Sequence, residues 1–342
     1  MLRSWALPIL LCLASSQAAS DALKPAQIAV VTNLDSPASI EIGDYYLKAR
    51  DIPGQNLIKV RIPGNPRTLT PEAFALLKHE IDRQLDASIQ AVVFVWTTPW
   101  SVGCNSLTGA YSLGYQAALC SNTCSPSKPN PYFNSSSAKP YTDFGIRLSM
   151  LLPADNPALA KQLIDRGVAS DLSWPKGSAY FLVTSDAHRN SRAAFFPHSG
   201  QLLSPPLSIT TMQAEVLEDK QDVMFYFTGG IHISGLDTLT FLPGAIADHL
   251  TSSGGELHGG PQMSSLRWLE AGATGSYGSV SEPCNHWQKF PNPGPLLQHY
   301  LAGETLIEAY WKSVAWPGQG LFIGEPLASP YRQLQFRVRP FR

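Results

Sequence analysis

Two hydrophobic rhythms take turns along this chain. Short apolar, β-rich runs predict strands at Ile28 to Asn33, Leu57 to Ile62, Ala91 to Thr97, Gly145 to Leu152, Ala179 to Thr184 and Val223 to Gly230. Between them lie segments with helical spacing and helix-start chemistry. Ser36 and Pro37 open one that runs to Arg50. Thr70, Pro71 and Glu72 open another, with Phe74, Leu77, Ile81 and Leu85 on one face. Further helices are expected from Asn156 to Gly167 and from Thr210 to Leu217. Strand, helix, strand at this spacing predicts right-handed βαβ units, hence an α/β fold with a mainly parallel sheet and helices on both faces.

The stretch from Leu266 to Pro330 is the densest in local signals. It reads as a helix end, a small-residue strand from Ala273 to Tyr277, a loop carrying Cys284, an amphipathic helix, and a short strand entering a Gly-Glu-Pro turn. In contrast, residues 98–143 form a long irregular region rich in Ser, Asn and Pro. It leaves the C-terminal end of the Ala91 to Thr97 strand through Pro99 and Trp100, where open α/β sheets build ligand crevices.

The chain has 342 residues, 15% of them charged and 44% hydrophobic, with a formal charge of -1. No cluster of Lys and Arg stands out, which argues against a nucleic-acid partner. Arg3, the apolar run Trp5 to Ala14, and Ser16, Gln17 and Ala18 form the three parts of a secretory signal peptide, residues 1–19. A lipoprotein signal around Cys12 is the rival, disfavoured by Leu11 before the cysteine. The remainder, residues 20–342, is expected to be a single α/β domain. No later apolar run reaches the roughly 18 residues of a membrane span, so no transmembrane anchor is expected.

Removing the leader leaves Cys104, Cys120, Cys124 and Cys284, an even number that suggests two disulfides with three pairings open. Proximity in sequence favours Cys120 with Cys124, leaving Cys104 for Cys284. A catalytic role for Cys284 would need a basic neighbour such as His232 or His286. The G-x-S-x-G elbow is absent, because Thr274 stands where the first glycine around Ser276 should be. Zinc-motif spacings are absent too, and no cofactor is expected. The one set with the chemistry to converge on a cation is Asp186, Asp248, His249 and His258.

Several blocks, GATGSYGSVSEPC, EAYWKSV and ADHLTS together with the cysteine-rich loop, resemble a family of exported bacterial proteins of unassigned activity. More remotely, the order VMFYFTGG, LPGAIADHLTSSGG, LEAGATGSYGSV, LAGETLIEAYWKSV and LFIGEP resembles the gingipain-type, caspase-like cysteine peptidases. That resemblance implies a three-layer sandwich with catalytic groups at the ends of two adjacent strands. Where those peptidases carry Gly-His-Gly, this chain reads TGGIHIS with His232. Where they carry Ala-Cys, it reads Ala247, Asp248, His249, Leu250, Thr251, Ser252 with no cysteine.

Two readings follow. In the first, a hydrolase of peptide or other acyl bonds uses His232, Asp248, His249 and Ser252, with Trp100, Asp186, Arg189 and Glu282 binding the substrate. In the second, a non-catalytic envelope module binds a peptide or glycan in the same crevice, lined by Trp96 and Trp100. Oligomeric state is not encoded.

Overall fold

The computed structural model describes residues 22–333, so the expected signal peptide and Cys12 lie outside the described residues. The chain begins with β1 (Ile28–Asn33), α1 (Pro37–Ala49), β2 (Leu57–Val60), β3 (Thr68–Leu69), α2 (Pro71–Asp82) and β4 (Ala91–Val95). Ser36 and Thr70 cap α1 and α2 by accepting the amides of Ser39 and Ala73, with proline at each first turn.

The region expected to be irregular holds β5 (Ser101–Val102), β6 (Asn105–Ser106), α3 (Leu107–Leu113), α4 (Ala118–Ser121) and α5 (Pro140–Phe144). Ser106 caps α3 through the Gly109 amide, a start signal hidden among many serines. Then come β7 (Leu148–Leu151), α6 (Pro157–Ser170), β8 (Gly177–Val183), β9 (Gly200–Leu203), β10 (Pro206–Gln213), β11 (Val223–Gly229) and β12 (Phe241–Leu250). The C-terminal block supplies α7 (Leu266–Ala271), β13 (Gly275–Ser279), α8 (Pro293–Leu301), α9 (Leu306–Ser313) and β14 (Gly320–Gly324).

Eleven strands form one sheet in the order β2-β1-β4-β7-β14-β13-β12-β11-β8-β10-β9. Pairing is parallel except for β13 with β14 and β9 with β10. Two similar units sit side by side: β2-β1-β4-β7 and β10-β8-β11-β12-β13. In each, the first strand lies between the second and the third, which creates a switch point where ligand crevices form.

Helices cover both faces. On β11, Phe225 packs edge-on against Tyr300 of α8, and its neighbour Tyr226 packs against Trp268 of α7. Successive strand residues point to opposite faces, so α7 and α8 lie on opposite sides and the molecule is a three-layer sandwich. The expected helix from Thr210 to Leu217 is corrected: β10 occupies its first half, pairing residue by residue with β8 and forming a hairpin with β9. The β-branched residues Ile209, Thr210 and Thr211 suit that strand.

After β14, the buried carboxylate of Glu325 is gripped by Arg50 through both its oxygens. Tyr46 donates to the same group at 2.7 Å. Asp171, just past α6, takes the other side of the Arg50 guanidinium. Gly167 of α6 has no room for a side chain, because a Cβ there would collide with Glu325. We expect Glu325→Gln to leave Arg50 buried without its main counter-charge and to destabilise the fold by about 3–5 kcal/mol, measured by urea unfolding.

Candidate functional site

Two of the candidate catalytic residues, Asp248 and His249, lie near the end of β12. Thr228 of β11 pairs with His249 and Gly229 with Leu250, so the strand ends are level. His232 lies three residues past β11 on that same edge and is exposed, with no hydrogen bond to a described residue.

His249 is fully enclosed. Its Nδ1 accepts the indole N–H of Trp268 at 2.9 Å, since tryptophan can only donate; Nε2 therefore carries the proton and donates to the Met263 carbonyl at 3.1 Å. Burial pushes its pKa down to about 3, and the nearby Arg192 adds to the effect. Both ring nitrogens are occupied by structural bonds, which corrects the expectation that His249 transfers protons.

Asp248 is equally buried and forms an ion pair with Arg192, itself 1% exposed. Arg192 also donates to the carbonyls of Thr228 and Asp248, so it straddles the ends of β11 and β12. Burial raises the Asp248 pKa to about 6 against the pull of Arg192. This pair splints two strands and has no opening to a substrate, which corrects the catalytic assignment of Asp248.

The accessible chemistry lies just above. A crevice of about 280 Å³ is lined by His188, Arg189, Thr251, Ser252, Glu282 and Asn285, among others. It thus brings together Arg189, Ser252 and Glu282 from the sequence analysis. Asp186 caps the short helical turn Ala187–Asn190 and holds Arg189 in a 2.6 Å ion pair; Arg189 Nε also donates to the Thr251 hydroxyl at 3.3 Å. Trp96 and Trp100 are 2% and 4% exposed and do not line it. Trp96 instead donates to the Pro99 carbonyl, and Trp100 packs edge-on against His258.

The Glu282 loop is fixed by the cysteine-rich region. The disulfides are Cys104–Cys120 and Cys124–Cys284, which overturns the pairing expected from proximity. α4 holds Cys120 against the Cys104 turn, whereas Cys124 lies beyond it and faces the loop after β13. Ser281 Oγ donates to the Cys104 carbonyl at 2.7 Å, and Gln319 donates to Ser281 and to the Glu282 carbonyl. Buried Lys289 reaches the Thr123 carbonyl at 2.6 Å, bracing the same junction.

Proposed metal convergence does not occur, because each member has its own partner: Asp186 with Arg189, Asp248 with Arg192, His249 with Trp268, and His258 with Asp155 at 2.7 Å. Among the described residues no group of three or more His, Cys, Asp and Glu is placed to hold a metal ion. Nor does any described histidine hydrogen-bond to a serine, threonine or cysteine. Arg192, Trp268 and Asp155 escaped the sequence reading, since each lies 19 to 103 positions from its partner and has no motif around it.

These features define a three-layer α/β protein with a polar crevice at the C-terminal ends of β8, β12 and β13. No protein-family model and no curated protein matches the chain. A solved structure titled "Structure of Protease" is similar over 90% of this chain and 79% of its own, at 12% identity and a TM-score of 0.46. A likeness that slight bears on neither activity nor site.

Two outcomes can be checked. Peptide mapping of unreduced protein should yield Cys104–Cys120 and Cys124–Cys284 linkages and no free thiol at Cys284. The second concerns pH. Unfolded His249 takes a proton near 6.5 and the folded ring only near 3, so acidification through that window favours unfolding. Asp248 works oppositely: its folded pKa of about 6 exceeds the ordinary 3.8, so protonation between those values favours the fold. The His249→Gln variant keeps a donor for Met263 but does not titrate there. Relative to the unmodified protein it should gain stability as pH falls from 6.5 to 4, by up to about 1.4 kcal/mol per pH unit in urea titrations.

Proposed function

We propose that this is an exported, non-catalytic binding module whose crevice takes an extended polar peptide. One observation carries the reading: no described histidine hydrogen-bonds to a serine, threonine or cysteine, so Ser252 in the crevice has no paired base, and most of the other candidate groups are already engaged. His249 spends both nitrogens, Asp248 is locked to Arg192, and all four described cysteines are in disulfides.

The lining supports the choice of ligand. Arg189 offers a cation, Glu282 an anion, and Ser252 and Asn285 both donors and acceptors, a mixture that matches peptide amides and charged side chains. With Trp96 and Trp100 buried, the crevice lacks an aromatic platform for a sugar face, which favours peptide over glycan. Export rests on the leader at residues 1–19 and agrees with the paired cysteines. No helix among the described residues is long and apolar enough to cross a membrane.

The test is a peptide-array screen followed by calorimetry on the peptides retained. Arg189→Ala and Glu282→Gln should each weaken binding by about tenfold, equivalent to about 1.4 kcal/mol. Fluorogenic peptides and acyl esters should show no turnover. Turnover that disappears in Ser252→Ala would overturn the binding reading in favour of the hydrolase; loss of affinity in neither variant would remove the crevice as the ligand site.

A further inference from the structure

A second cavity, of about 150 Å³, opens between α6 and α7. Its walls are Pro153, Leu159, Ala160, Leu163, Leu266 and Leu269. Leu159 stands at the wall with 39% of its surface in water. An apolar cavity of ~150 Å³ accommodates a body the size of benzene, so one branched aliphatic side chain fits.

Five polar residues line the same cavity, Thr97, Asp155, Asn156, His258 and Glu270, and the two carboxylic acids among them are Asp155 and Glu270. Asp155 accepts from His258 Nε2 through Oδ2 at 2.7 Å, and its Oδ1 accepts from no described residue. Glu270 accepts from Arg267 through Oε2, and its Oε1 accepts from no described residue. Asn156 caps α6 with its side-chain carbonyl oxygen, and its amide hydrogens meet no acceptor among the described residues. The His258 imidazole is positioned between Asp155 and the Trp100 ring, its centroid 5.8 Å from the indole. The loops after β4, β7 and β12 therefore meet α7 here, and the cavity gathers two carboxylates, Asp155 of the loop after β7 and Glu270 of α7, each with one oxygen that accepts from no described residue.

Apolar walls with such polar groups select a ligand by both properties at once. A carboxylate would face Asp155 and Glu270 and be repelled, whereas a primary ammonium can donate to their open oxygens while its hydrocarbon body displaces water from the leucines. We propose that this cavity binds an aliphatic primary ammonium, either the free amino-terminal residue of a peptide or a free amine of the same shape. The site shares no residue with the Arg189 crevice and does not depend on the function assigned there.

Calorimetry on the full chain tests it with three probes. Leucinamide carries the ammonium and the branched side chain, N-acetyl-leucinamide lacks the charge, and isoamylamine lacks the carboxamide. Leucinamide should bind saturably, and acetylation should weaken it at least tenfold. Asp155→Asn should cause a similar loss. Glu270→Gln at the surface and Leu159→Ser at the exposed wall should each weaken binding severalfold while leaving the thermal unfolding midpoint unchanged, which separates ligand loss from misfolding. Isoamylamine binding as tightly as leucinamide identifies a free amine as the ligand; tighter leucinamide binding identifies a peptide terminus. Equal binding of the acetylated probe, full affinity in both carboxylate variants, or no saturable binding by either amine would overturn the proposal.

Discussion

The turn that follows the last strand is tied to the first helical layer by one buried carboxylate. Glu325 follows β14, the strand that pairs with β13 on one side and meets β7 at Ile323–Leu151 on the other. An ionised carboxylate without water is tolerated only when cations and donors surround it. Here Arg50 and Tyr46 of the first helical layer provide them, Asp171 completes the charge on Arg50, and the Leu327 amide donates back to Glu325. The C-terminal turn and α1 thus each satisfy the other's buried charge across 275 positions of sequence.

A similar logic operates at the opposite edge. Arg192 and Asp248 neutralise one another inside the sheet margin, and His249 is held neutral between Trp268 and Met263. Beneath the crevice thus lie a buried ion pair and a neutral, hydrogen-bonded imidazole, while the accessible polar groups sit on the loops above them.

How much of this was legible in the sequence follows the range of the interactions. Strands such as Ala91–Val95 and Val223–Gly229 announced themselves, because a fully buried parallel strand needs a continuous apolar run. The caps at Ser36, Thr70 and Asn156 were equally local. β10 is the exception, because only Leu207 among its residues is fully buried, so it lacks the continuous apolar run that marks the central strands. At the strand ends, residue types do not disclose their partners. Nothing near Asp248 says that Arg192 will neutralise it, and nothing near His249 says that Trp268 will occupy its nitrogen; tertiary packing makes both choices. The cysteine pairing failed for the same reason, since closeness along the chain gave no information about which way α4 would turn Cys120.

The cysteine connectivity also imposes an order on biogenesis. Cys104–Cys120 closes a loop of 16 positions and needs only one local segment, whereas Cys124–Cys284 spans 160 and needs β13 and its following loop to exist. A chain made from its N-terminus holds both partners of the short bridge while Cys124 still lacks Cys284, so the long bridge is the one that requires nearly the whole described chain.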